Sequence, residues 1–302
     1  MEINILSLCD GMSCGQIALN KANIKYNKYF ASEIDSESIK ITQKNFPNTI
    51  QVGDLLNIDF DYLKTLPKID LVIFGFPCRN ASKAVKGRDG YDNGLQGKST
   101  WLFFPCADIL HWIQKNNNTD VYFLCENVDG MSKQDQETIN NSLNVEPILI
   151  NSNIFSAQDR KRLYWTNIPM KELPNNKGLI LQDIMQNSSE IEEKYWYKQS
   201  FDFHGFDKKV CATLNLNGHD ILKRVNNPDF TSPTLTSCRG GNLQKKVFQD
   251  GKCRKLTPIE YERLQTVPEN YTEGVSMTSR YNMLGDGWTV DAIAYILSYL
   301  SE

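Results

Sequence analysis

Five short apolar runs organise the first half of the chain: Ile3 to Leu8, Tyr29 to Ser32, Thr49 to Val52, Ile69 to Gly75 and Val121 to Cys125. Each is too short for a helix, and each breaks off at a glycine, a thiol or an acidic residue. Stretches of helical spacing separate them, among them Gln16 to Leu19, the segment after Asp35 and Trp101 to Gln114. Alternation of this kind predicts an α/β fold with a doubly wound, mostly parallel sheet. The near-continuous apolar character of Ile69 to Gly75 suits a parallel strand covered on both faces. Ligands in such sheets sit at the carboxyl ends of the strands, so the residues that follow each run carry the functional argument.

The periodicity fades after Pro169, where Asn, Lys, Ser and Gly cluster among short runs such as Val210 to Leu216 and Thr231 to Thr236. It resumes at Thr257, which caps a helix opened by Pro258, with Glu260 completing a capping box. An apolar stretch at helical spacing, Val290 to Leu300, closes the chain and is expected to return to the first domain. The expected organisation is a core over 1–169, a smaller irregular domain over 170–255 and C-terminal helices over 256–302. The net charge of -3 conceals an asymmetry, because residues 208–255 hold ten basic against three acidic side chains, a local +7 that leaves -10 for the rest. That is either a solvated basic face or a surface for a polyanion.

Apolar residues at 40% and charged residues at 23% describe a globular chain. The eight cysteines form no Cys-x-x-Cys pair and the three histidines no ligand spacing, so neither a zinc site nor a disulfide framework is expected. No apolar stretch is long enough to span a bilayer, and Met1 leads directly into Ile3 to Leu6 with no signal-peptide pattern. A cytoplasmic protein without metal or membrane is the expectation.

At the first strand end, the turn Cys9-Asp10-Gly11-Met12-Ser13-Cys14-Gly15 gives close backbone approach and a helix N-terminus, either a plain turn or a nucleotide-like cofactor site. Glu33 follows the second strand, where it can hold ribose hydroxyls, and Asp54 follows the third, where it can accept from an adenine amine. The fourth strand runs into Pro77-Cys78 and the fifth into Glu126-Asn127-Val128, neighbouring tips able to pair a nucleophile with an acid. Taken alone, Cys78 also reads as an inert buried thiol. Arg160 and Arg162 lie two apart on an expected strand, so both side chains would point to one face. They form either a solvated edge or a clamp for an anion or a base.

Together, in this order and spacing, these residues resemble the cytosine-5 DNA methyltransferase family. Pro77-Cys78 is similar to its nucleophile motif, Glu126-Asn127-Val128 to its acid motif and Gln158-x-Arg160-x-Arg162 to its arginine motif. Leu6 to Gly15 resembles the cofactor motif in the style of animal de novo and phage enzymes. Arg254 to Gln265 and Gly285-Asp286-Gly287-Trp288 resemble the last two motifs. The resemblance covers the chain except about 170–250, where the family keeps its variable target-recognition domain. It departs at Arg79, where bacterial modification enzymes usually carry Gln, and at Asp286, where Asn is commoner.

The resemblance implies a Rossmann-like methyltransferase core using S-adenosylmethionine, with Cys78, Glu126, Arg160 and Arg162 catalytic. It implies cofactor contacts from Cys9, Asp10, Gly11, Ser13, Gly15, Glu33, Ile34, Asp54, Leu55, Pro77, Leu102, Asp286, Gly287 and Trp288. Double-stranded DNA is the implied partner, touched by Arg79, Ser82, Lys83, Lys86 and Arg88 of a glycine-rich loop and by Lys209, Arg239, Lys245 and Lys246. A companion restriction endonuclease is a second implied partner, in a bacterial or phage-infected host. Cytosine C5 is too weak a nucleophile for a sulfonium methyl until a thiolate adds at C6, and a stacked base must be extruded first. Three alternatives stay open: a tRNA-type cytosine-5 methyltransferase, whose Cys-Phe-Thr signature is absent, a decayed DNA-binding relative, and a nicotinamide oxidoreductase.

Overall fold

A computed structural model describes residues 2–77, 94–97, 100–238 and 242–301. The chain divides into two compact units, one comprising 1–150, 161–171 and 293–302, the other 151–160 and 172–292. The expected third segment is therefore shared, with 256–292 in the second unit and 293–302 in the first. The chain passes from the first unit into the second between Lys171 and Glu172.

The first unit is built on strands β1 (Ile3–Leu8), β2 (Tyr26–Ser32), β3 (Ile50–Gln51), β4 (Leu71–Phe74) and β5 (Tyr122–Val128). Further strands are β6 (Ile148–Asn151), β7 (Gln158–Asp159), which belongs to the second unit, and β8 (Lys161–Thr166). Seven of them form one sheet in the order β3-β2-β1-β4-β5-β8-β6. The pairs β1–β2, β1–β4, β2–β3 and β4–β5 are parallel, and β8 runs antiparallel to β5. Helices α1 (Cys14–Lys21), α2 (Ser36–Asn45), α3 (Phe60–Thr65), α4 (Phe103–Asn116) and α5 (Lys133–Leu143) lie between the strands. The strand order reverses between β1 and β4, the position at which a doubly wound sheet opens a ligand crevice.

Burial explains the strand sequences. All four residues of β4 are buried, as expected of an apolar run covered on both faces. Leu6, Leu8, Val72, Phe74, Phe123 and Trp165 join Phe103, Ile109 and Ile113 of α4 in one core cluster. Full burial of each such side chain stabilises by about 1.5–3 kcal/mol. Gly15 is required by packing: a Cβ there would collide with Ile73 and stand 2.6 Å from the Tyr29 hydroxyl.

Two details differ from the pattern read along the chain. Strand β5 continues to Val128, because the antiparallel neighbour β8 pairs Glu126 with Tyr164 and Val128 with Arg162. Glu126 therefore sits within a strand. Arg160 and Arg162 do not share one strand either. Gln158 and Asp159 pair in parallel with β12 (Ser232–Pro233), whereas the strand holding Arg162 belongs to the large sheet.

The second unit adds β9 (Phe201–Phe203), β10 (Val210–Leu214), β11 (Arg224–Asn226), β13 (Lys246–Gln249) and β14 (Lys252–Lys255), ordered β14-β13-β11-β10-β9. The hairpin between the last two in sequence turns through Asp250 and Gly251, with φ +48° and +76°, a left-handed pair for which Asp-Gly is the favoured dipeptide. Helices α6 (Pro258–Leu264) and α7 (Met277–Asp286) follow, and α8 (Val290–Ser298) continues into the first unit from Ile293 on. The capping box of Thr257 and Glu260 is present.

Candidate active site

The end of β1 enters the first turn through three residues in left-handed conformation, Cys9 at φ +56°, Gly11 at +60° and Ser13 at +62°. Two of them carry side chains, an uncommon and costly state that surrounding contacts must hold in place. Glu33 supplies such contacts. One of its oxygens accepts from the Gly11 amide at 2.7 Å, the other from the Ile34 and Asp35 amides at 2.8 Å each. With roughly four acceptor sites on a carboxylate, Glu33 is mainly a clamp joining the β1 turn to the end of β2. Asp54 similarly accepts from the Leu56 amide at 3.0 Å, ordering the turn after β3.

Asp10 lies inside this turn. Its Oδ1 accepts from the Ser7 hydroxyl at 2.6 Å and the Tyr29 hydroxyl at 2.7 Å, while Oδ2 is buried with no hydrogen-bond partner. Burial pushes the carboxyl up to about 6, against the pull of the Ser7, Tyr29 and Ser13 hydroxyls, with Glu33 adding repulsion. Ser7 and Tyr29 had not been singled out as site residues. The available signal is the Ser7 hydroxyl near the end of the mostly apolar Ile3–Leu8 run.

A nucleotide-like cofactor fits these strand ends. The Cβ positions of Gly11 and Gly53, at φ +60° and +80°, face open space, and Ile34 leaves an apolar side chain 73% exposed beside the Glu33 clamp. Leu55 points into the core at 5% exposure, so only its backbone is available to a ligand. Leu102 packs partly against the core cluster.

At the neighbouring strand ends, Arg162 Nε lies 2.9 Å from Glu126 Oε1, with side-chain exposures of 12% and 10%. A second guanidinium nitrogen donates to the Lys161 carbonyl at 2.7 Å. Asn127 donates to the Phe76 carbonyl at 2.9 Å, so β5 fixes the backbone that leads into Pro77. Cys78 lies outside the described residues, as do Arg79, Ser82, Lys83, Lys86, Arg88 and Arg239. Several buried thiols are poor nucleophiles at neutral pH. Burial raises Cys106 and Cys125 well above the ordinary thiol value, Cys211 to about 11 and Cys253 to about 12.

Arg160, expected from the arginine motif to be catalytic, is held by backbone carbonyls. It is 2% exposed, and its guanidinium donates to the carbonyls of Leu235 at 3.0 Å, Gly287 at 2.8 Å and Gly285 at 3.4 Å. It thereby orders the backbone beside Asp286 and Trp288 within the second unit. Gly285 meets the same need for close approach, since a Cβ there would collide with the backbone of Thr236.

The basic excess is also reassigned in part. Lys246 is 1% exposed, and its ammonium donates to the carbonyls of Asn242 at 2.7 Å and Gln244 at 2.9 Å. Burial, with Lys245 and Lys255 close by, lowers it to about 8. Its ammonium is an internal strut between these carbonyls. Arg254 is fully buried against Glu260 at 2.6 Å. Lys209 remains exposed, 3.5 Å from Asp159. Lys209, Arg224 and Lys245 line a cavity of about 340 Å³. Among the described residues no His, Cys, Asp and Glu cluster fits a metal ion, and no helix is long and apolar enough to cross a membrane.

The sequence matches the family described as C-5 cytosine-specific DNA methylase over residues 3–302. It is 28% identical to the type II methyltransferase M1.ScrFI of Lactococcus lactis subsp. cremoris, over 92% of this chain and 73% of the relative. It is 26% identical to the type II methyltransferase M.HpaII of Haemophilus parainfluenzae, over 97% and 87%. The fold is similar to that of the S. pombe Dnmt2 methyltransferase, with a TM-score of 0.72 at 18% identity over 99% and 98% of the two chains. With paired strand ends suited to a nucleotide cofactor and a carboxylate–guanidinium pair beside them, and a match from residue 3 to the C-terminus, the chain belongs to the C-5 cytosine-specific DNA methylases, enzymes that use S-adenosylmethionine.

Proposed function

We propose that the chain methylates C5 of an extruded cytosine in double-stranded DNA through a covalent adduct between Cys78 and C6. The observation that carries this reading is the Glu126–Arg162 pair at 2.9 Å, next to a Pro77 turn fixed by the Asn127–Phe76 bond. Bound S-adenosylmethionine supplies the electrophilic methyl group. The residues of the chain do the rest. The Cys78 thiolate adds to C6, placing charge on the ring. Glu126 holds a proton at the pyrimidine N3, and Arg162 faces O2, where negative charge builds. Loss of the C5 proton then expels the thiolate and restores the ring.

Asp10, Gly11, Glu33, Ile34 and Asp54 are assigned to the cofactor, with Asp286, Gly287 and Trp288 contributing the motif at the other end of the chain. The segment 170–255 is assigned to target choice, with Lys209, Lys245 and Arg239 as contacts. The two bacterial type II methyltransferases among its relatives support a setting beside a restriction endonuclease in a bacterial cytoplasm. Methylation-aware sequencing of DNA from a host expressing the chain tests the reading. The expected result is 5-methylcytosine in one short motif, absent with Cys78→Ser. Methylation confined to RNA, or none, would overturn it.

A further inference from the structure

We propose that Asp10 is the residue by which the cofactor site prefers the cationic methyl donor, S-adenosylmethionine, over the neutral product, S-adenosylhomocysteine. The inference rests on the reading above that the β1 turn holds the cofactor. The two ligands share the adenosine, the ammonium and the carboxylate. They differ by one methyl group and the positive charge of the sulfonium, so contacts common to both cannot separate them.

The charge around Asp10 is unbalanced in the protein alone. The groups that face it are Ser7 from β1, Ser13 at the start of α1, Tyr29 of β2 with Tyr26 behind it, and Glu33 after β2. None is a cation, and Glu33 adds a second negative charge. Two neutral hydroxyls satisfy Oδ1, whereas Oδ2 is buried without a partner. A buried carboxylate is ordinarily paired, because its lost hydration is otherwise uncompensated. Here the compensating charge is absent from the described residues around it, and a ligand carrying a net positive charge provides it through space. Removal of the methyl group removes that charge, which weakens the hold on the product as soon as transfer is complete.

The same geometry fixes a pH dependence. The Asp10 carboxyl titrates near 6 without ligand. A cation nearby favours the ionised form, so binding of the donor expels a proton around that pH. Affinity for S-adenosylmethionine therefore rises as pH increases through 6, while affinity for S-adenosylhomocysteine changes much less.

The test is calorimetric titration of the full chain with each ligand between pH 5 and pH 8, in two buffers of different ionisation enthalpy. The wild type is expected to release a fraction of a proton on binding S-adenosylmethionine near pH 6. Asp10→Asn is expected to lose roughly tenfold in affinity for S-adenosylmethionine at pH 7.5, the scale of a partly screened charge pair, and little for S-adenosylhomocysteine. Tyr29→Phe removes one hydroxyl from Oδ1 but leaves the charge, so it should move the proton-release midpoint to higher pH and keep the preference at pH 8. Equal loss of both ligands in Asp10→Asn, or no loss of either, would overturn the proposal. So would donor binding by the wild type with no proton release. A wild type that binds neither ligand at any pH would instead remove the cofactor assignment on which the proposal stands.

Discussion

The buried groups show that side-chain environment decides what a suggestive residue does. Asp10 is expensive to the folded protein when ionised, because burial raises its carboxyl from the ordinary 3.8 to about 6. The native state thus binds more protons than the unfolded chain between those values, and this group's contribution to stability falls as pH rises from about 4 to 6. Asp10→Asn in the absence of cofactor is expected to stabilise the protein at pH 8 by about 1–2 kcal/mol, less than the full shift implies because hydrogen-bond geometry is disturbed, and to have no such effect at pH 4. Thermal melts at the two pH values check the sign. Glu33→Ala is expected to weaken cofactor binding by more than one lost ligand contact, roughly a hundredfold, because it frees three backbone amides of the turn at once. A titration showing less than a threefold loss would contradict the clamp. Arg162→Ala leaves Glu126 without its guanidinium and is expected to slow methyl transfer about a hundredfold, measured in single turnover.

Elements were legible where the periodicity was strong and missed where pairing partners decided the outcome. The Ile3–Leu8 strand and the Thr257 capping box were readable because apolar runs and cap residues are local signals. The continuation of β5 through Glu126 was not, since it depends on an antiparallel neighbour contributed by Lys161–Thr166, more than thirty residues away. For the same reason Arg160 and Arg162 look equivalent by spacing, yet Arg162 lies in the large sheet and Arg160 in the link between two strands. Arg254 and Glu260 were visible as charges, but their mutual burial was not. Replacing Glu260 with Ala breaks both this pair and the cap, and is expected to cost about 3–5 kcal/mol by chemical denaturation, far more than the ~1 kcal/mol of a cap alone.

At the scale of the whole molecule, the charge asymmetry between 208–255 and the remainder survives in reduced form. Lys246 and Arg254 are internal, so fewer side chains are available to DNA phosphates than the count suggests. Lys246→Met is expected to leave the salt dependence of DNA binding unchanged, whereas loss of a phosphate contact such as Lys209 should lower the slope of log K against log salt by about 0.9. A filter-binding series from low to moderate salt separates the two. The covalent chemistry is the claim on which the rest depends. A duplex with 5-fluorocytosine at the methylated position blocks the final loss of the C5 substituent, so the account predicts a stable protein–DNA adduct in the presence of S-adenosylmethionine, mapped by peptide mass spectrometry to Cys78. An adduct at Cys106 or Cys125, or methyl transfer by Cys78→Ser on ordinary cytosine, would contradict it.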